Sequence, residues 1–180
     1  IISRGSAAGY TLKLPFEDRK LQSRKDFLAD LAVSLAGYAT EKMIFGDLTT
    51  GASNDIQVAT ALARDMVTRY GMSDNIGPIA LDSGTRLGIL GGWTVENTIS
   101  EDTSMQVDKE VSKLMNQALT QAEEILTIHK KALDNISTEL IKTETLERDD
   151  FEKLLVLNGI KPKIKPLAEG DIFAPESELI

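Results

Sequence analysis

Apolar positions recur at helical spacing along most of this chain. Phe27, Leu28, Leu31, Leu35, Tyr38 and Met43 share one face of a first helix. Ser23 stands before it as an N-cap with Asp26 three residues on, and Gly46 ends it. Asp47 to Ser53 is a polar loop. Asn54 with Gln57 reads as a capping-box-like pair opening a second helix, lined by Ile56, Ala59, Ala63, Met66, Val67 and Tyr70 and closed by Gly71. Ser100-Glu101-Asp102-Thr103 opens the strongest helix, with the stripe Val107, Val111, Leu114, Met115, Ala118, Ala122 and Ile125. A break is expected between Thr127 and Lys130. A further helix then carries Leu133, Ile136, Leu140 and Ile141 to about Thr143, and a short one runs from Glu147 to Leu157 before Gly159.

Two stretches fall outside that period. Residues 1–15 hold Ile1-Ile2 and the alternating Tyr10-Thr11-Leu12-Lys13-Leu14, stopped by Pro15, which reads as a hairpin or edge pair. Residues 72–99 contain Gly77, Gly84, Gly88, Gly91 and Gly92 and are expected to form a long ordered loop with short strand-like pieces. A loop of that length is usually functional or mobile. The pattern predicts a mainly α domain over residues 1–158 with a small β-hairpin or edge strand near its N-terminus. The tail over 159–180, with Pro162, Pro166 and Pro175, is expected to be extended or disordered.

Composition narrows the function. The 180 residues suffice for one domain, and the formal net charge of −8 makes a nucleic-acid partner unfavourable. Cysteine is absent, so neither a disulfide framework nor a thiolate metal site can form. No apolar run approaches the roughly 20 residues of a membrane-spanning helix, and the domain itself is expected to be soluble. The chain opens on Ile1 without an initiator Met, which suggests a start inside a domain. No Gly-Lys-Ser or Gly-Lys-Thr phosphate loop is present.

Several motifs, in order, carry a resemblance. They are Gly9-Tyr10-Thr11-Leu12 with Leu14-Pro15, and Phe45-Gly46 followed by Thr49-Thr50-Gly51-Ala52-Ser53-Asn54-Asp55-Ile56. Ala63-Arg64, Met66-Val67, Tyr70-Gly71-Met72-Ser73 and Gly77-Pro78 continue the series, with Ser100-Glu101, Asp108, Glu110-Val111 and Glu144-Thr145-Leu146 beyond. The set resembles the peptidase domain of FtsH-type, ATP-dependent, membrane-anchored zinc metalloproteases, from residue 1 to about residue 157.

The resemblance implies a metalloendopeptidase. Zinc hydrolysis of peptide bonds needs three protein ligands and an open position for water. In this family two ligands are histidines of an H-E-x-x-H helix whose Glu is the general base, and the third matches Asp55. A first-turn carboxylate such as Asp55 also has a purely structural reading, as a stabiliser of the helix start. The H-E-x-x-H motif is absent here. The only histidine, His129, reads as a boundary or surface residue. The His pair and the general base are therefore expected upstream of Ile1, and these 180 residues alone are expected to be inactive and to bind zinc weakly. Glu41 matches an acidic family position. It is either an outer residue orienting a ligand His or a solvated or capping Glu.

Further expectations follow from the resemblance. ATP is used by an upstream AAA-type module. The partners are protein or peptide substrates, unfolded or membrane proteins under quality control, and other subunits of a homo- or hetero-hexamer. Upstream segments hold the full-length protein to a bacterial inner membrane or an organelle membrane. Tyr10 to Leu14 serves either to align substrate as an added strand or simply to cap the core. The 84–92 loop is a candidate mobile element over the site. Arg64, Arg69 and the acidic residues of the long helix are assigned to solvated surface. Where the family has Gly-Gly-Arg this chain has Ala36-Gly37-Tyr38, one turn from Glu41. That departure keeps open a second reading, a non-catalytic relative acting as a structural subunit of a hexameric assembly.

Overall fold

The structure, a computed structural model, describes residues 21–81, 86–87, 93–94 and 99–162. The hairpin expected over residues 1–15, the 84–92 loop as a whole and the tail beyond 162 lie outside these residues. What is described is mainly helical and falls into two compact units, Arg19–Lys130 and a second whose described part runs over 131–162.

The first unit holds α1 (Arg24–Phe45), a 3₁₀ turn (Thr50–Ala52), α2 (Ser53–Thr68) and α3 (Glu101–Ile128). Between α2 and α3, β1 (Arg86–Leu87) pairs antiparallel with β2 (Trp93–Thr94), Arg86 opposite Thr94 and Leu87 opposite Trp93. These are the short strand-like pieces expected inside the long connection. The three helices pack on one another pairwise.

Local sequence sets the ends of α1. The Ser23 hydroxyl accepts from the Asp26 amide while Asp26 accepts from the Ser23 amide, a reciprocal capping box. At the other end Gly46 takes φ 67°, and its N–H bonds back to the Lys42 carbonyl. A residue with a Cβ would be strained in that left-handed conformation. α2 begins differently from expectation. Its N-cap position is Ala52, which makes no side-chain cap, and Asn54 lies inside the helix rather than before it. The preceding 3₁₀ turn is the reason. It feeds its backbone directly into α2, with Ser53 N–H bonded to the Thr50 carbonyl, so no extended cap residue separates turn from helix.

The core is the sum of three helical faces. Phe27, Leu31, Ala32, Leu35 and Ala39 come from α1, Ala59, Ala63, Met66 and Val67 from α2, and Val107, Val111, Leu114, Ala118 and Ala122 from α3. The alanines leave room for close helix approach, while Leu31, Met66 and Val67 are the largest fully buried side chains. Two stripe positions end up at the margin. Tyr70 stays half exposed with its ring stacked on Phe27, centroids 5.4 Å apart, and Ile125 is exposed. Gly71, at φ 61°, closes the α2 end, and the next residue, Met72, bonds back to the Met66 carbonyl.

In the second unit, α4 (Lys130–Thr143) and α5 (Arg148–Leu157) are joined through Glu144, which has φ 60°. The helix break expected near His129 is present: that residue leaves helical geometry, at φ −104° and ψ 22°, and is exposed. Ala132 is the one buried residue of α4, and α5 buries none. The Asn135 amide donates to the Asn158 side-chain oxygen at 2.8 Å.

Candidate metal centre

Two of the site residues singled out by the sequence, Glu41 and Asp55, flank the connection between α1 and α2. Glu41 lies on the last full turn of α1. Past Gly46 the chain turns, and Thr49 arrives opposite the Glu41 carboxylate. The Thr49 N–H donates to Glu41 Oε2 at 3.0 Å and the Thr49 hydroxyl donates to Oε1 at 2.9 Å. The same hydroxyl oxygen accepts from the Gly51 N–H at 3.1 Å. Gly51 is suited to this close approach: a Cβ there would lie 3.2 Å from both Glu41 Oε1 and Thr49 Oγ1. Ala52 is buried and anchors the turn to the core.

Asp55 follows in the first turn of α2, where it is the sole acidic residue. It is exposed, and among the described residues no hydrogen bond or ion pair engages it. A carboxylate here meets the positive end of the helix and a set of amides without a side-chain cap. The arrangement offers one hard oxygen donor held at a fixed place on a helix start.

One donor is not a metal site. Among the described residues no group of three or more His, Cys, Asp or Glu side chains stands close enough to hold a metal ion. Asp55 fits one corner of the four-ligand zinc shell, and the described residues do not complete it. The sequence contains a single histidine, so a two-histidine ligand set cannot be built from these 180 residues alone. Tyr10, Thr11, Leu12, Lys13 and Leu14, the candidate substrate strand, lie outside the described residues. Near the turn, Ile44 and Phe45 at the end of α1, Leu48 in the connection and Val58 of α2 are exposed apolar side chains. Gly37, at the departure from the family pattern, has open space where a Cβ would stand. An open groove of about 850 Å³ is lined by Asp108, Lys113, Gln117 and Glu124 of α3 and shares no residue with the turn.

A second polar cluster corrects the assignment of α3's acids to solvated surface at one position, Glu110, while Glu101, Asp102, Asp108 and Glu124 are exposed as expected. Glu110 is only 7% exposed. It accepts from the Ser73 hydroxyl at 2.8 Å and closely from the Asn75 amide, while Ser73 Oγ accepts from the Ile76 N–H at 3.2 Å. Lys113 lies 3.8 Å away. Burial, the largest influence, pushes the Glu110 pKa up, but the bonds from Ser73 and Asn75 and the Lys113 charge together bring it below the ordinary value. The signal was present in the sequence: Glu110 sits between Val107, Val111 and Leu114, on the apolar stripe. Arg64 does behave as a surface residue, paired with Asp108 at 2.8 Å with both partners more than half exposed.

A small helical unit whose inter-helix turn braces a helix start and presents an unengaged carboxylate there is the class of structure the geometry defines. The chain belongs to peptidase family M41, which residues 1–154 match. It is 42% identical over its whole length to the ATP-dependent zinc metalloprotease FtsH 1 of Thermomicrobium roseum. It is 40% identical over 86% of its length to the ATP-dependent zinc metalloprotease FtsH of Rubrobacter xylanophilus, and 41% identical over 86% to that of Thermotoga maritima. The chain spans 27%, 24% and 26% of those three relatives, about a quarter of each. Among the described residues no helix is long and apolar enough to cross a membrane.

Proposed function

We propose that this chain forms the helical part of the peptidase domain of an ATP-dependent zinc metalloprotease, with Asp55 as one of three protein ligands. The other two ligands are a histidine pair, and the general base is a Glu beside them, all supplied by residues outside these 180. When bound, the metal lowers the pKa of a coordinated water and polarises the scissile carbonyl. This chain's own contribution is to present the Asp55 carboxylate at the N-terminus of α2. The carrying observation is that Asp55, within the Thr49–Ile56 motif, is exposed and unengaged at a helix start fixed by its preceding turn.

The zinc metalloprotease names of relatives near 40% identity support this reading. ATP-driven delivery of unfolded or membrane proteins, assembly into a hexamer, anchoring to a membrane through other segments, and alignment of substrate on Tyr10 to Leu14 belong to the same proposal. So do the inactivity and weak zinc affinity of the 180-residue chain by itself. The test is metal analysis of the full-length protein with Asp55→Ala, alongside chelator-sensitive cleavage of an unfolded protein. Loss of zinc and of cleavage is expected. A variant that keeps one zinc per subunit and cleaves at the parent rate removes Asp55 from the ligand set.

A further inference from the structure

We propose that Glu41 is a positioning residue for Asp55, acting through the Thr49 hydroxyl and the Gly51 amide without itself touching metal or substrate. The proposal rests on the zinc-ligand reading of Asp55. Both Glu41 oxygens are engaged by one residue, Oε2 by the Thr49 N–H and Oε1 by the Thr49 hydroxyl. That two-point grip fixes Thr49 in position and orientation relative to the end of α1. The Thr49 oxygen passes the constraint on by accepting from Gly51 N–H, and Thr50 passes it to α2 by accepting from Ser53 N–H.

α2 has no side-chain cap of its own. The braced turn therefore sets where α2 starts, and the start of α2 sets where the Asp55 carboxylate lies. Asp55 has no described partner that could hold it independently. The missing Cβ at Gly51 belongs to the same device, since a side chain there would press on the carboxylate and hydroxyl oxygens at 3.2 Å. The brace is a set of hydrogen bonds at a polar, mostly exposed turn, so loosening it displaces a ligand without emptying the core.

The test uses the full-length protein with Glu41→Ala, Glu41→Gln, Thr49→Val, Thr49→Ser, the double variant Glu41→Ala/Thr49→Val, and Asp55→Ala as the reference for ligand loss. Zinc affinity is read by chelator competition, and kcat and KM are measured separately on an unfolded protein. Glu41→Ala and Thr49→Val are expected to weaken zinc binding by about tenfold or more and to lower kcat with KM little changed. Glu41→Gln keeps two polar atoms facing Thr49, and Thr49→Ser keeps the hydroxyl, so both are expected to stay within about threefold of the parent. The double variant is expected to be no worse than Glu41→Ala, because the two residues form one brace.

If Glu41→Gln is as damaging as Glu41→Ala, the negative charge itself matters and the brace is overturned. Losses that multiply in the double variant also overturn it. If Asp55→Ala loses zinc while Glu41→Ala and Thr49→Val keep parental affinity, the positioning role fails and the ligand role stands. If Asp55→Ala keeps zinc, both fail.

Discussion

Replacing Glu110 by Ala removes the one buried carboxylate among the described residues and the anchor of the segment that follows α2. The Ser73 hydroxyl, on a residue 5% exposed, loses its acceptor and cannot readily turn to water. The Asn75 amide loses its acceptor too, but Asn75 is exposed and can rehydrate. A hydrogen bond to a charged group contributes roughly 1.5–3 kcal/mol, and a stranded buried polar group costs roughly 1–3 kcal/mol. Relief of the buried charge offsets part of this. The net expectation is a loss of about 2–4 kcal/mol, dominated by Ser73. Glu110→Gln keeps an acceptor and nearly the same volume, and Asn75 can rotate its amide to match, so about 1 kcal/mol is expected. The assay is urea unfolding of the chain followed by far-UV circular dichroism. A cycle with Ser73→Ala should give a coupling of about 1–2 kcal/mol. The pH dependence has a definite sign. The folded pKa lies below the ordinary 4.5, so the carboxylate's contribution is present above that value and is lost as pH falls through the folded pKa. The stability gap between parent and Glu110→Gln should be constant near neutrality and should narrow in acid. A gap that widens in acid, or a Glu110→Ala loss under about 0.5 kcal/mol, would refute the network as described.

Other outcomes can be checked in the same unfolding assay. Met66→Ala, at a fully buried position, should cost about 2–5 kcal/mol, and a smaller loss would mean the three helices close over the cavity. Gly71→Ala and Gly46→Ala separate backbone strain from crowding. Both glycines have φ above 60°, which costs Ala about 1–2 kcal/mol, but a Cβ at Gly71 would also meet Pro78 Cα at 2.9 Å whereas Gly46 faces open space. Gly71→Ala should be the more damaging of the pair, and equal losses would contradict the close packing of Pro78. Arg64→Ala, breaking an exposed ion pair with Asp108, should stay within about 0.5 kcal/mol of the parent.

How much of this was legible follows from the range of each interaction. The helices were, because their buried faces repeat every three to four residues: the stripe Ala59, Ala63, Met66 and Val67 is buried as its spacing predicts. The ends fixed by adjacent residues were too, as with Ser23 and Asp26. The start of α2 was not, because the Asn54–Gln57 pattern mimics a capping box while the real determinant is a 3₁₀ turn just upstream. The partners of Glu41 and Glu110 were hidden for another reason. Glu41 meets Thr49 eight residues on, across a chain reversal, and Glu110 meets Ser73 at a separation of 37, and neither distance has a periodic signature. The odd polar residue on an apolar stripe was the one clue to Glu110.

The two polar clusters differ in what they support, and that difference predicts how variants should sort. Glu110 is enclosed by the helical core, so its loss should appear as lost stability whatever the protein is doing. Glu41 at the end of α1, Thr49 in the turn and Asp55 at the start of α2 lie outside that core: Thr49 and Asp55 are exposed, and Glu41 is partly so. Their hydrogen bonds stay close to water and contribute little net stability. Changes at the turn should therefore alter metal affinity at nearly constant unfolding midpoint. Such a division would suit the ligand role proposed for Asp55. A carboxylate held by core packing alone would be displaced by every repacking of α1 against α3, whereas one set by a local brace keeps its aim while the bundle behind it fluctuates. Variants at Glu41 that lowered the unfolding midpoint as much as those at Glu110 would show that the turn is part of the core's cooperative unit, and the separation of aim from stability would not hold.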